Sequence, residues 1–309
     1  MKSMSDYDSS RIRSSYVIIK ERIWDYKISP GAIFVLPVFF LIISLLLYPM
    51  LNTFWLSIQP EQGVGFTLQH YEQMLSSTWF GRVMWNSAVW VVLGVVGQIS
   101  VGFGLALLLN TSFPRRKLVR GLYLLPWITP TVVVGLVFKW MYSPQFGIIN
   151  WVFRWTGLMD NSIAWLSNPS LALPALVVAG LWKRFPFVMI MLLAGLQDVD
   201  DRLEQAAILD GAPYHARLRH VTLPQLMPVL KIVVLLSIIW CFNQFAIIFT
   251  ATGGGPVGAT ETLPVKVYLL GFSNLQFNLS ATLSVVMFAL MFIVMLGYIR
   301  ILRRRGIEL

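Results

Sequence analysis

The chain has 309 residues, of which 57% are hydrophobic and only 12% charged, and a formal net charge of +10. Soluble domains carry about 25% charged residues, so this composition excludes an ordinary soluble enzyme and indicates an all-α, polytopic membrane protein. A single cysteine, Cys241, excludes a disulfide framework and a thiol metal site.

Residues 1–30 read as a polar cytoplasmic lead of mixed charge, without the pattern of a cleavable signal. Within it Ile18, Ile19, Ile23 and Tyr26 suggest a short amphipathic helix on the membrane surface. A transmembrane helix needs about 20 mainly apolar residues. Six stretches qualify: Gly31–Trp55, Met84–Asn110, Leu118–Tyr142, Leu171–Leu196, Gln225–Thr250 and Leu279–Ile301. They define one six-helix domain over residues 31–303, followed by a short tail at 304–309. The prolines at 37, 49, 126, 130, 174 and 186 predict kinks or breaks, which are tolerated where backbone faces protein or a water-filled cavity. The links at about 56–83 and 143–170 carry Trp79, Trp151, Trp155 and Trp165, residues that favour the membrane interface. The link at about 251–278 opens on a glycine turn, Gly253-Gly254-Gly255-Pro256.

The positive charge is distributed unevenly. Arg115, Arg116, Lys117 and Arg120 lie between the second and third spans, Arg202, Arg217 and Arg219 between the fourth and fifth, and Arg300, Arg303, Arg304 and Arg305 at the end of the sixth. The alternate links hold only Arg82, Arg154 and Lys266. By the positive-inside rule both termini are cytoplasmic, and the charge reports topology rather than a nucleic-acid site. There is no GxxxxGK[ST] phosphate loop and no HExxH. His70, His215 and His220 are scattered, and no Ser/His/Asp grouping stands out. The chain is therefore expected to be no enzyme, to hold no metal or cofactor, and to take energy from a partner.

Residues 197–224 form a polar insert between the fourth and fifth spans. Asp201 is placed to cap a helix, with Glu204 three residues on as in a capping box. Val199, Leu203 and Ala206/Ala207 fall on one stripe, Gly211 can turn the chain, and Pro213 suits the start of a second helix closed by Leu223-Pro224. This insert resembles the cytoplasmic EAA loop of permease subunits of ATP-binding-cassette (ABC) importers. The family pattern is Glu-Ala-Ala before an Asp-Gly pair, then nine residues, then Ile-x-Leu-Pro. Here Asp210-Gly211 is followed by nine residues and then Val221-Thr222-Leu223-Pro224. Gln205 stands at the family's glutamate, beside Glu204, with Ala206 and Ala207 as its alanines. The resemblance implies that Glu204, Gln205, Ala206, Ala207, Asp210, Gly211, Leu223 and Pro224 couple to an ATPase. It also implies two ATPase subunits carrying ATP and Mg, a second related permease, an external solute-binding protein, and transport by alternating access.

The run from Phe242 to Pro256 resembles the fifth-span segment of sugar-importer permeases of the maltose type, which lines the sugar site. The resemblance nominates Asn243, Gln244, Phe245 and the backbone near Ile247 and Ile248. Planar amides suit hydroxyl groups and aromatic faces suit sugar C–H surfaces. Lys183 and Arg184 lie inside the fourth span, in a Trp182–Pro186 run expected to interrupt it. Cations there must pair, snorkel or face water. The choices are a hydrated cavity, the carbonyls of a broken helix, the partner subunit or an anionic substrate. As adjacent positions on a helix they point about 100° apart and are expected to differ in role. The implied function is carriage of a carbohydrate, neutral or anionic. The alternatives are another solute such as a glycerol-phosphate-like anion, or an ion-coupled transporter. The six spans contain no Asp or Glu to serve ion coupling.

Overall fold

A computed structural model describes residues 30–61 and 65–304. The amphipathic helix expected near Ile18–Tyr26 and the tail beyond residue 304 lie outside the described residues. The chain divides into two compact units, residues 1–55 and 56–309.

The first unit is helical from α1 (Pro30–Ile42) through a π-helical turn at Ile43–Leu47 into α2 (Tyr48–Ile58). Neither Pro37 nor Pro49 breaks this run.

In the second unit α3 (Gln69–Ser76) leads into α4 (Thr78–Asn110). Helix α4 starts six residues before the apolar stretch does, and of those six only Val83 is buried. The third stretch is not one straight helix. Helices α5 (Arg116–Tyr123) and α6 (Leu125–Ile128) meet α7 (Thr131–Met141) at Pro130, with a bend of 92°. Helix α8 (Ile148–Trp155) follows. Helix α9 (Pro169–Gln197) is capped by the Asn168 side chain, which accepts from Ser170 N, and runs unbroken through Pro174 and Pro186. The expected interruption at Trp182–Pro186 is therefore absent. The helix is the most buried of the spans, so its neighbours keep it continuous where proline removes a hydrogen bond.

The polar insert forms α10 (Asp201–Leu209) and α11 (Tyr214–Arg217). A π-turn at Leu218–Thr222 carries α11 directly into α12 (Leu223–Phe242). Leu223-Pro224 thus opens α12 instead of closing the insert, since proline at the first positions costs no intrahelical bond. After a break at residues 243–245 come α13 (Ala246–Thr252), α14 (Leu263–Tyr268) with a π-turn at Leu269–Ser273, and α15 (Phe277–Arg304). Five of these runs are long and apolar enough to cross a membrane, and the bent third pair makes a sixth.

The central contact is α4 against α9. Glycines make it close: a Cβ on Gly102 would lie 2.6 Å from Val188 Cγ1, and one on Gly180 would lie 2.9 Å from Trp90. Small residues permit such approach in a bundle where dispersion, not water exclusion, drives packing. Leu192, Leu193, Leu196, Leu226 and Val233 fill the core at the arginine-rich end; Trp90, Leu173, Leu176 and Ile248 fill the opposite half.

Candidate functional site

The polar insert is a helical knuckle with defined ends. Asp200, not Asp201, caps α10: its side chain accepts from Arg202 N at 2.9 Å. Extended backbone at residue 200 frees that carboxylate for the amide two residues on, and Asp201 is the first helical residue instead. At the other end Asp210 is the C-cap and Gly211 has φ +76°. Gly211 N donates to Ile208 O at 3.0 Å and Ala212 N to Ala207 O at 2.9 Å. This paired closure needs a left-handed residue at position 211, hence glycine. Glu204 reaches back to Arg217 on α11 at 3.7 Å, and Arg217 lies 5.9 Å from the Tyr214 ring. The knuckle leaves large apolar side chains uncovered: Leu203, Ile208, Leu209 and Tyr214 are exposed, Leu209 at 88%. Gln205, Ala206 and Asp210 are exposed beside them, Ala207 and Leu223 half-buried, and Pro224 exposed.

The second candidate region is the break in the fifth span. Asn243 turns the chain at the C-cap of α12; its backbone N and its Nδ2 both donate to Ile239 O, at 3.2 and 2.9 Å. Cys241 O accepts from Gln244 N at 3.2 Å and from Trp90 Nε1 at 3.0 Å. These bonds stabilise an unwound segment that contains no proline. Asn243 is exposed and Gln244 half-buried. Phe245 is half-buried in an aromatic row with Phe249 at 4.8 Å and Tyr268 at 5.0 Å. Ile247 and Ile248 follow in the first turn of α13. Both are 0% exposed, Ile247 among Val134, Phe138 and Tyr142, Ile248 among Trp90, Leu173 and Leu176. Their side chains anchor α13 in these clusters, while their backbone lies in its first turn.

The two cations of α9 separate as their 100° offset requires. Lys183 donates to the carbonyls of Trp127 and, at 2.7 Å, Thr129. It occupies acceptors left free by the bend of the third span. Both bonds tie Lys183 to the bent third span. Arg184 is 6% exposed. Its Nη1 donates to Gln244 Oε1 at 3.2 Å, and its guanidinium carbon lies 5.3 Å from the Trp90 ring. A Cβ on Gly180 would lie 2.6 Å, and one on Gly94 3.5 Å, from Arg184 Nη2, so the two glycines make the slot the guanidinium fills. Sequence patterning gave no sign of Trp90, Gly94 and Gly180 as its neighbours, because Trp90 and Gly94 lie on another helix about 90 positions away.

Residues 98–307 match the family of binding-protein-dependent transport system inner membrane components. The chain belongs to that family. This permease is 31% identical over 283 residues to the trehalose/maltose transport system permease protein MalF of Thermococcus litoralis, covering 89% of this chain and 94% of that protein. It is 33% identical over 246 residues to the sulfoquinovosyl glycerol transport system permease protein SmoG of Agrobacterium fabrum, covering 80% and 79%. Among solved structures it shares its fold with a bacterial ABC transporter involved in the import of the acidic polysaccharide alginate, at TM-score 0.79 and 20% identity, covering 94% of this chain and 99% of that one. The permease is thus an inner-membrane transport component of all-helical architecture, as its composition and six apolar stretches indicated.

Proposed function

We propose that this permease carries a hydroxylated carbohydrate across the inner membrane as one half of an ABC importer. The observation that carries the reading is the pair Asn243-Gln244 at an unwound point inside an apolar span. Unpaired amide atoms exposed there are costly in lipid and favourable only against water, a partner or a polar solute. Phe245 adds an aromatic face to the same point. The names of the relatives, trehalose/maltose and sulfoquinovosyl glycerol transport among them, support a sugar.

The energy would come from ATPase subunits holding ATP and Mg and docked on the knuckle. Its uncovered leucines and Tyr214 offer about the apolar anchor a partner groove needs. Glu204–Arg217 and the Gly211 closure fix the angle at which they are offered. Residues 197–224 and both termini would be cytoplasmic, a second permease would complete the path, and the solute would arrive on an external binding protein. The chain itself would break no bonds. The test is ATP-driven uptake of tritiated trehalose, maltose and diacetylchitobiose by the reconstituted assembly. Asn243→Ala and Gln244→Ala should each lower uptake about tenfold, the loss of one buried hydrogen bond of about 1–3 kcal/mol, with the assembled amount unchanged. Undiminished uptake by both variants would move the solute site elsewhere.

A further inference from the structure

We infer that Arg184 is a positioning residue that fixes which face of the Gln244 amide meets the solute, so that Gln244 presents a donor and Asn243 an acceptor. The inference rests on the proposed solute site at residues 243–245 and concerns how that site reads hydroxyl groups.

An amide side chain has two ends, and its orientation follows from what each end touches. Arginine has five N–H donors and no acceptor, so the Gln244 atom facing Arg184 Nη1 must be Oε1. A backbone carbonyl can only accept, so the Asn243 atom facing Ile239 O must be Nδ2. Both orientations are dictated by chemistry. The atoms left over are Gln244 Nε2 and Asn243 Oδ1. Neither has a hydrogen-bond partner among the described residues. Nor is Gln244 Nε2 one of the fully buried unpartnered atoms. The unwound segment therefore sets one donor and one acceptor on successive residues. A hydroxyl is both donor and acceptor, and neighbouring hydroxyls on a sugar ring match this pair without any charge.

Arg184 is built for holding an amide rather than for reading an anion. Its remaining donors, Nε and Nη2, are buried without partners, and Nη2 lies against Gly94, Gly180 and Trp90. None of the ion pairs among the described residues includes it. A charged donor makes a stronger hydrogen bond than a neutral one and polarises the amide it grips, which sharpens Nε2 as a donor. An anionic solute would need to displace Gln244 to reach the guanidinium.

The test uses the complete assembly in proteoliposomes, with ATP-driven uptake of tritiated trehalose, maltose and diacetylchitobiose at saturating binding protein. Gln244→Glu keeps an acceptor for Arg184, and the resulting ion pair holds the contact, but no donor remains for the solute. Asn243→Asp loses the Nδ2 bond to Ile239 O, but its backbone N still donates there at 3.2 Å and it keeps the acceptor that faces the solute. We expect both variants to assemble in the wild-type amount, and Asn243→Asp to retain at least about ten times the uptake of Gln244→Glu, one hydrogen bond's worth of discrimination. A carboxylate would then be tolerated better at the position away from the arginine, the reverse of what ion pairing alone dictates. Wild-type uptake by Gln244→Glu alongside a defective Gln244→Ala would overturn the inference and leave the solute site standing. Equal losses in the two carboxylate variants would overturn it too, because charge alone would explain them. If the wild type moves none of the three sugars, the carbohydrate reading itself fails, and this inference with it.

Discussion

Lys183 and Arg184 show how two like charges in one membrane helix are made affordable by different means. Lys183 spends its donors on the Trp127 and Thr129 carbonyls that the bend exposes. Lys183→Met removes that cap and leaves carbonyls without a partner at membrane depth. The cost should be about 1–3 kcal/mol, visible as a lower unfolding temperature of the purified complex, with uptake per assembled complex retained. A variant of wild-type thermal stability would show that water caps the bend equally well. Gly135 provides a second residue-scale test. A Cβ there would collide with Thr250 Oγ1 and approach Ile247 O at 3.0 Å. Gly135→Ala should cost about 1–3 kcal/mol through overpacking between α7 and α13, and thermal unfolding of the variant beside wild type measures it. That these two spans touch was not legible beforehand. The sequence marks Gly135 only as one small residue in an apolar run, and the partner that makes it necessary lies 115 positions away at Thr250.

At the scale of elements, the knuckle was the most legible part of the chain and the fifth-span break the least. Glycine at 211 and the polar run around it announce a turn, and φ +76° is what such a turn requires. Only the end signals slipped: capping fell to Asp200 because either of two adjacent aspartates can supply the oxygen, and Leu223-Pro224 opened a helix because proline is as much a start as a stop. Gly211→Val would put a β-branched residue in the left-handed region at about 1–2 kcal/mol. Uptake and solute-stimulated ATP hydrolysis should fall together while membrane insertion persists; intact coupling would mean the knuckle angle is immaterial. The break at 243–245 carries no proline or glycine. It is held by Asn243 bonding back to Ile239 O and by Trp90 on Cys241 O, the second a contact across 151 residues that no local pattern reveals. Conversely Pro174 and Pro186 promised breaks and made none, because the most enclosed helix of the bundle has neighbours to keep it continuous.

For the whole molecule, apolar length counted the crossings, and charge placement predicts their orientation. The orientation has a direct check, since the only cysteine, Cys241, is buried and should stay silent to polar thiol reagents. Leu209→Cys on the knuckle should be labelled by a membrane-impermeant maleimide in inside-out vesicles and protected in intact spheroplasts. Asp160→Cys, in the exposed loop after α8, should show the opposite pattern. The same side for both residues would refute the topology. The break that Pro126 and Pro130 predicted in the third crossing is present; its size, 92°, was not legible, because the lysine that holds the bend sits in another helix.

The continuity of the knuckle with the fifth span has a mechanical consequence. From Tyr214 the chain stays helical to Phe242, and Leu223–Phe242 alone is about 30 Å long at 1.5 Å per residue. In the proposed coupling, α12 would be the long arm of a lever whose handle is the knuckle. The far arm, α13, is pinned to α7 through the Gly135–Thr250 approach. Between the arms lies an elbow, and the elbow is Asn243-Gln244-Phe245. A tilt applied at the handle has one unwound place in which to be absorbed, and that place carries the amides. The cargo would ride at the joint, gripped or released by the angle between two rigid arms rather than by the turning of any single side chain.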